Sequence, residues 1–226
     1  MIEIIPTYVP RDLSDLSLGV EAIRTFASSI HIDIDDGQFA SITTWPYTKP
    51  GVFEAPDLTC VRGISAEIHL MVSNPRDVGF SFARAGAYRI IGHLEGFADG
   101  NDVPAALRAW REAGATQVGL GLLFQTSFSR IENLLPHCDL VHLMSIATIG
   151  TQGISYERSA PARIAEFHRL FPAVVISVDG GVSKSNIADL VRAGATQFGV
   201  GSAISRVSDP KAAYEELKVL AESAVL

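Results

Sequence analysis

Two rhythms of apolar residues alternate along this chain. Short runs that are apolar throughout, or apolar at every second position, predict strands at 2–8, 29–34, 65–71, 88–93, 116–122, 139–145, 174–178 and 197–200. Amphipathic runs between them predict helices at 12–26, 75–85, 102–113, 128–136, 161–171, 184–193 and 211–222. The interval 38–62 is less regular. Pro46, Pro50, Gly51 and Pro56 predict a long loop over 39–55, with a short helix after it. Strands that alternate with helices in this way imply an all-parallel sheet covered on both faces.

A recurring joint supports that reading. Ala85-Gly86-Ala87, Ala113-Gly114-Ala115 and Ala193-Gly194-Ala195 each close a predicted helix and lead at once into a strand. The glycine stands where a helix ends in the left-handed region. A doubly wound open sheet could use the same joint. Eight strands favour closure, because that number makes a barrel filled by its own side chains. The expected fold is a single (β/α)8 barrel, a TIM barrel, with no Pro/Ser-rich linker dividing residues 1–226.

Composition narrows the partners. The chain has 226 residues, 47% of them hydrophobic, enough for one large core. No apolar run approaches a membrane span, and the opening MIEIIPTYVPRD lacks the basic flank of a signal peptide. Cys60 and Cys138 read as reduced thiols of a cytoplasmic protein. The net charge is −7 and no Lys/Arg cluster occurs, so neither nucleic acid nor a membrane surface is expected as a partner. A small-molecule substrate and a homo-oligomer are expected.

The candidate chemistry gathers at predicted strand ends, where barrels of this type carry their sites. In His31-Ile32-Asp33-Ile34-Asp35-Asp36-Gly37, strand alternation puts His31, Asp33 and Asp35 on one face and the isoleucines on the other. Three buried polar groups of ligand type need a partner. His31, Asp33, His69 and Asp179 come from three strand ends, and two imidazoles with two carboxylates suit one divalent ion: Zn²⁺, Fe²⁺ or Mn²⁺. A single histidine on an apolar strand is more often a satisfied core group. Four candidates at matching ends weigh against that for the set. His93 and Glu95 are weaker candidates of the same kind; His137 and His142 read as structural, and His168 as surface.

Asp36 and Asp179 are expected to face each other across the mouth as an acid/base pair, one taking a proton from carbon and the other returning one to the opposite face. Each also reads as an ordinary turn residue. Gly180-Gly181 and Gly201-Ser202 follow the last two strands, where backbone N–H groups can meet a phosphate. Met71 and Met144 stand beside the polar ring, as core filler or as a water-excluding cover.

These residues resemble the ribulose-phosphate 3-epimerase family. His31-Ile-Asp33-Ile-Asp35-Asp36-Gly37-Gln-Phe39 is similar to its His-x-Asp-x-Met-Asp-Gly-x-Phe, and His69-Leu70-Met71-Val72-Ser73-Asn74-Pro75 to its His-Leu-Met-Val-x-Asn-Pro. His93-Leu94-Glu95, Met144-Ser145-Ile146, Val178-Asp179-Gly180-Gly181-Val182 and Gly201-Ser202-Ala203-Ile204 match in order. The resemblance implies a metal-dependent epimerase that inverts C3 of a ketose phosphate, ribulose 5-phosphate or a relative such as allulose 6-phosphate. It implies His31, Asp33, His69 and Asp179 as ligands, Asp36 and Asp179 as the acid/base pair, and Met71 over the intermediate. The phosphate would lie near Gly180, Gly181, Gly201 and Ser202, with Thr7, Met144 and Gly150 also at the substrate.

The chain departs from that pattern in places. Asp35 replaces a methionine, and Pro6-Thr7-Tyr8-Val9 replaces Pro-Ser-Ile-Leu. The loop Ala147-Thr148-Ile149-Gly150-Thr151-Gln152-Gly153 replaces Asn/Glu-Pro-Gly-Phe-Gly-Gly-Gln. Positions that carry chemistry are kept and positions that recognise substrate have changed, which points to an altered sugar phosphate. A Schiff-base aldolase would need a strand lysine, and none exists. A metabolite-binding barrel without turnover is the remaining alternative.

Overall fold

The computed structural model describes residues 1–150 and 155–225. Eight parallel strands close into a barrel: β1 (Glu3–Tyr8), β2 (Ser29–Asp35), β5 (Ser65–Met71), β6 (Arg89–His93), β7 (Gln117–Leu122), β8 (Leu140–Met144), β9 (Val175–Asp179) and β10 (Gln197–Val200). Around the ring the order is β1-β10-β9-β8-β7-β6-β5-β2. Each strand therefore pairs with its neighbours in the chain, as successive right-handed β–α–β crossovers require. The outer layer includes α1 (Leu13–Ile23), α2 (Pro75–Ala85), α3 (Val103–Ala113), α4 (Ala160–Leu170), α5 (Ile187–Arg192) and α7 (Pro210–Glu222); a short α6 (Ser202–Ser205) follows β10.

Local chemistry explains the helix limits. Asp12 caps α1 by accepting from the Asp15 N–H at 2.8 Å. Pro75, Pro104, Pro161 and Pro210 occupy the first turns of α2, α3, α4 and α7, where a missing N–H costs nothing. Gly86 ends α2 at φ 101°, and the joint recurs at Gly114 and Gly194, all with positive φ.

Three segments differ from the sequence expectation. The helix expected at 128–136 is two 3₁₀ turns, Phe128–Arg130 and Glu132–His137, the second with Pro136 inside it. Proline supplies no backbone donor and clashes with the preceding turn, so an α-helix cannot run through. The helix expected from 184 begins at Ile187, because the Asn186 side chain turns back to accept from the Ser183 N–H. The long loop contains an antiparallel hairpin, β3 (Tyr47–Lys49) with β4 (Val52–Phe53), before the expected short helix at Thr59–Val61.

Strand alternation sorts the barrel into two environments. On β2, Ile30, Ile32 and Ile34 join the apolar layer under the helices, with Ile68 and Leu70 of β5 beside them. The opposite face of the same strands fills the barrel with polar side chains: His31, Asp33, Glu67, His69, Arg89, His93, His142 and Ser177 are all buried. Barrels of this kind are ordinarily packed with Val, Ile and Leu. This one carries an ionic core that runs from its closed end to its mouth.

Candidate active site

The network starts low in the barrel. Arg89 donates to Gln117 at 2.7 Å, to Glu67 at 2.5 Å and to Glu3 at 3.3 Å. The other oxygen of Glu67 meets His31 Nδ1 at 2.5 Å. On its far side, His31 Nε2 lies 3.0 Å from Asp33 Oδ1, and His69 Nδ1 lies 2.9 Å from that same oxygen. Register produces this convergence: His31 pairs with Glu67, and Asp33 with His69, across the β2–β5 ladder. Behind His69, its Nε2 meets His93 Nε2 at 2.9 Å. His93 leads to Glu95, which accepts from the Leu123 N–H and the Thr126 hydroxyl.

Asp179 closes the site from the end of β9, three places round the ring from β2. Gly199 on β10 makes room for it: a Cβ there would stand 3.0 Å from Asp179 Oδ1. His142 of β8 completes the group. Ligand atoms of His31, His69, His142 and Asp179 all lie within 4.8 Å of one another.

Burial sets the charges. It disfavours an ionised His31, but the hydrogen bonds to Asp33 and Glu67 outweigh it and hold the imidazolium well above its usual range. For Asp33 burial is likewise overcome, and His31 and His69 hold its carboxylate well below the usual range. Asp179 moves the other way, raised by burial and then by the charge on Asp33. Burial and the neighbouring imidazoles push His142 well down, so it is neutral. Asp35, with one oxygen unpartnered, is raised to about 8 by burial and by the charges on Asp33 and Asp36. The carboxylates of one cavity thus have their pKa values pushed in opposite directions, Asp33 down and Asp35 and Asp179 up.

The donors fit a divalent cation. Two imidazoles converge on one carboxylate oxygen, a second carboxylate and a third imidazole stand beside them, and the buried His142 Nε2 has no protein partner. Borderline divalent ions take this mixture of nitrogen and oxygen donors.

The cavity above these groups is lined by Thr7, Asp33, Asp35, Met71, Met144 and Asp179, and by Gly150, Gly180, Gly181, Gly201 and Ser202. Nearly every residue the sequence nominated is thus brought together. Met71 and Met144 pack with Ala40, Ile146 and Ile149 in an apolar cluster of their own at the mouth. Residues 151–154 of the departing loop after β8 lie outside the described residues.

Asp36 is the exception among the nominated residues. Its carboxylate accepts from the Gln38 N–H at 2.8 Å, the Phe39 N–H at 2.7 Å and the Ser73 N–H at 2.7 Å, and it is not among the cavity-lining residues. It ties the loop after β2 to the loop after β5. The reason is parity: one position past Asp35, the side chain leaves the other side of the strand. His142, read from sequence as structural, corrects in the opposite direction and points into the ligand cluster. Glu67 and Arg89 are inward ionic groups that no motif nominates. Their signal was ionic residues at inward positions of apolar strands.

A closed parallel barrel with a histidine–carboxylate centre at its C-terminal mouth defines a (β/α)8 enzyme. A sequence model of the ribulose-phosphate 3-epimerase family matches residues 3–205. Ribulose-phosphate 3-epimerase of Aquifex aeolicus is 32% identical over 207 residues, covering 90% of this chain and 89% of the relative. That of Bacillus subtilis is 29% identical over 225 residues, covering 96% and 99%. Among solved structures, 3-keto-L-gulonate-6-phosphate decarboxylase from Vibrio cholerae superposes with a TM-score of 0.73 at 10% identity over all of both chains. 3-hexulose-6-phosphate synthase from Salmonella typhimurium gives 0.70 at 15%, covering 99% and 100%. These two share the fold. The chain belongs to the ribulose-phosphate 3-epimerase family, and it is an isomerase.

Proposed function

We propose that the protein inverts C3 of a ketose phosphate, ribulose 5-phosphate or a related sugar phosphate, by proton transfer between Asp33 and Asp179 with a divalent cation at His31, Asp33, His69 and Asp179. The placement of these two aspartates in one cavity, on strands three apart, carries the reading. Asp33, held ionised by two imidazoles, takes the proton from C3 and leaves an enediolate. Asp179, whose pKa is raised by burial and then by the charge on Asp33, delivers a proton to the other face of C3. The two residues finish with their protonation states exchanged, which suits a reversible reaction. The cation, when bound, would polarise the C2 carbonyl and stabilise negative charge on oxygen.

Met71 and Met144 keep water from the carbanionic carbon. Gly180, Gly181, Gly201 and Ser202 expose backbone near the phosphate end, and Ser145 holds that loop by donating to the Gly180 carbonyl at 2.5 Å. Thr7 presents a buried hydroxyl that has no protein partner. Asp35 gives a polar contact where the family has methionine, favouring a sugar that offers a hydroxyl there.

The test is exchange of the C3 proton in D₂O, followed by NMR across a panel of ketose phosphates. Exchange is expected to require a divalent ion, and inversion at C3 is expected to vanish in Asp33→Asn and in Asp179→Asn, the latter still exchanging the proton that Asp33 removes. Full inversion in either variant removes that residue from the mechanism, and no exchange with any ketose phosphate rejects the reading.

A further inference from the structure

Among the described residues that the family resemblance does not nominate, the barrel interior holds a buried imidazole with no evident task. His142 sits in the middle of β8, fully buried, on the inward side of the strand between Leu140 and Met144. Its Nδ1 lies 2.9 Å from the hydroxyl of Ser177, its register partner on β9. Its Nε2 is buried and meets no donor or acceptor of the protein. An imidazole that merely filled core space would leave this nitrogen at a cost of about 1–3 kcal/mol. A leucine would fill the same space with no such cost.

The orphan nitrogen is not directed at random. The His142 ring stacks on His31 with centroids 5.5 Å apart and 24° between planes, and stands 4.6 Å from the His69 ring. Its ligand atom falls in the same 4.8 Å group as those of His31, His69 and Asp179. Ligands bound at about 2.1 Å stand at most about 4.2 Å apart, so side-chain shifts of roughly half an ångström bring the group onto one centre. The Ser177 hydroxyl can accept from Nδ1–H. When Nδ1 carries the proton and donates to Ser177 Oγ, Nε2 presents its lone pair to the cluster.

We propose that His142 is a third imidazole ligand of the cation, with Ser177 as its positioning residue. The proposal rests on the metal-dependent reading above and adds to it a nitrogen-rich donor set of three histidines and two aspartates. More imidazole shifts preference along the divalent series, towards zinc and cobalt and away from manganese and magnesium.

X-ray absorption of the full-length protein loaded with one equivalent of Zn²⁺ is the primary test, and it needs no variant. Scattering from three imidazoles is expected, and a fit with two overturns the proposal while leaving the metal-dependent reading intact. If the protein takes up no zinc at all, both fall. Chelator competition supplies a second measurement. His142→Leu is expected to weaken zinc binding by about 100-fold or more, beyond the weaker effect, about 10-fold, expected of Ser177→Ala. The same substitution should change manganese binding less, narrowing the zinc-to-manganese preference. Zinc affinity unchanged in a folded His142→Leu protein also overturns it. Should His142→Leu fail to fold, the wild-type spectrum still decides.

Discussion

Glu67 Oε1 lies 2.5 Å from His31 Nδ1, and its other oxygen takes a hydrogen bond from Arg89. One carboxylate thus couples a candidate ligand at the mouth to a buried guanidinium near the closed end. The hydrogen bonds and charges of His31 and Arg89 overcome its burial and hold Glu67 down at about 2.

Glu67→Gln keeps the shape and removes the charge. It is expected to weaken zinc binding by about 10–100-fold, because His31 loses its orienting acceptor. Stability should fall by about 3 kcal/mol in a urea titration, because Arg89 is left buried with less compensation. A combined Glu67→Leu/Arg89→Met protein should regain part of the stability and none of the affinity. Recovery of both would deny Glu67 its role at His31.

Asp36 and Asp33 separate structure from chemistry. Asp36→Asn turns one acceptor oxygen into an NH₂ facing the Ser73 or Gln38 and Phe39 donors. A loss of about 2 kcal/mol in stability is expected, with C3 proton exchange retained in the folded protein. Asp33→Asn is expected to abolish exchange. Equal loss of exchange in the two would return Asp36 to the mechanism.

Asp35 makes metal-free protein lose stability as pH rises from about 4 to about 8. Its folded value is raised to about 8 from an ordinary 3.8, by burial and then by Asp33 and Asp36. Below about 3.8 both folded and unfolded chains hold the proton and its contribution is intact. As pH rises towards 8 the unfolded chain ionises and the folded one does not, and stability falls by up to about 1.4 kcal/mol per pH unit. Denaturation of chelator-treated protein between pH 5 and 8 should show a shallower decline in Asp35→Asn than in the native chain. Parallel curves would refute this.

Two glycines should fail differently. A Cβ on Gly86 would touch nothing within 4 Å, so Gly86→Ala costs only its φ of 101°, about 1 kcal/mol of stability with kcat unchanged. Gly199→Ala meets Asp179 Oδ1 at 3.0 Å and should lower kcat more than stability. The reverse ranking, read from steady-state rates and melting curves, would contradict the placement of Asp179.

Much of this molecule was legible in its one-dimensional pattern. Alternation along β2 put His31, Asp33 and Asp35 on one face, and that rule is geometric: successive residues of a strand must point opposite ways. The helix–glycine–strand joints marked the turns because only a left-handed residue ends a helix that way. The apolar spacing of 128–136 is helical, but Pro136 breaks the segment into 3₁₀ turns. Asp36 stands one position past Asp35, so the alternation that turns Asp35 inward carries the Asp36 carboxylate to the loop amides instead.

The sequence by itself determined the elements, their alternation and the kinds of side chain facing inward, since these depend on neighbours a few residues apart. Only the closed barrel decided which inward groups meet. His31 with Glu67, Glu67 with Arg89 and His142 with Ser177 are separated by 36, 22 and 35 positions. No local period connects residues that distant. Parallel register across neighbouring strands does, by bringing side chains at matching height to within hydrogen-bonding reach.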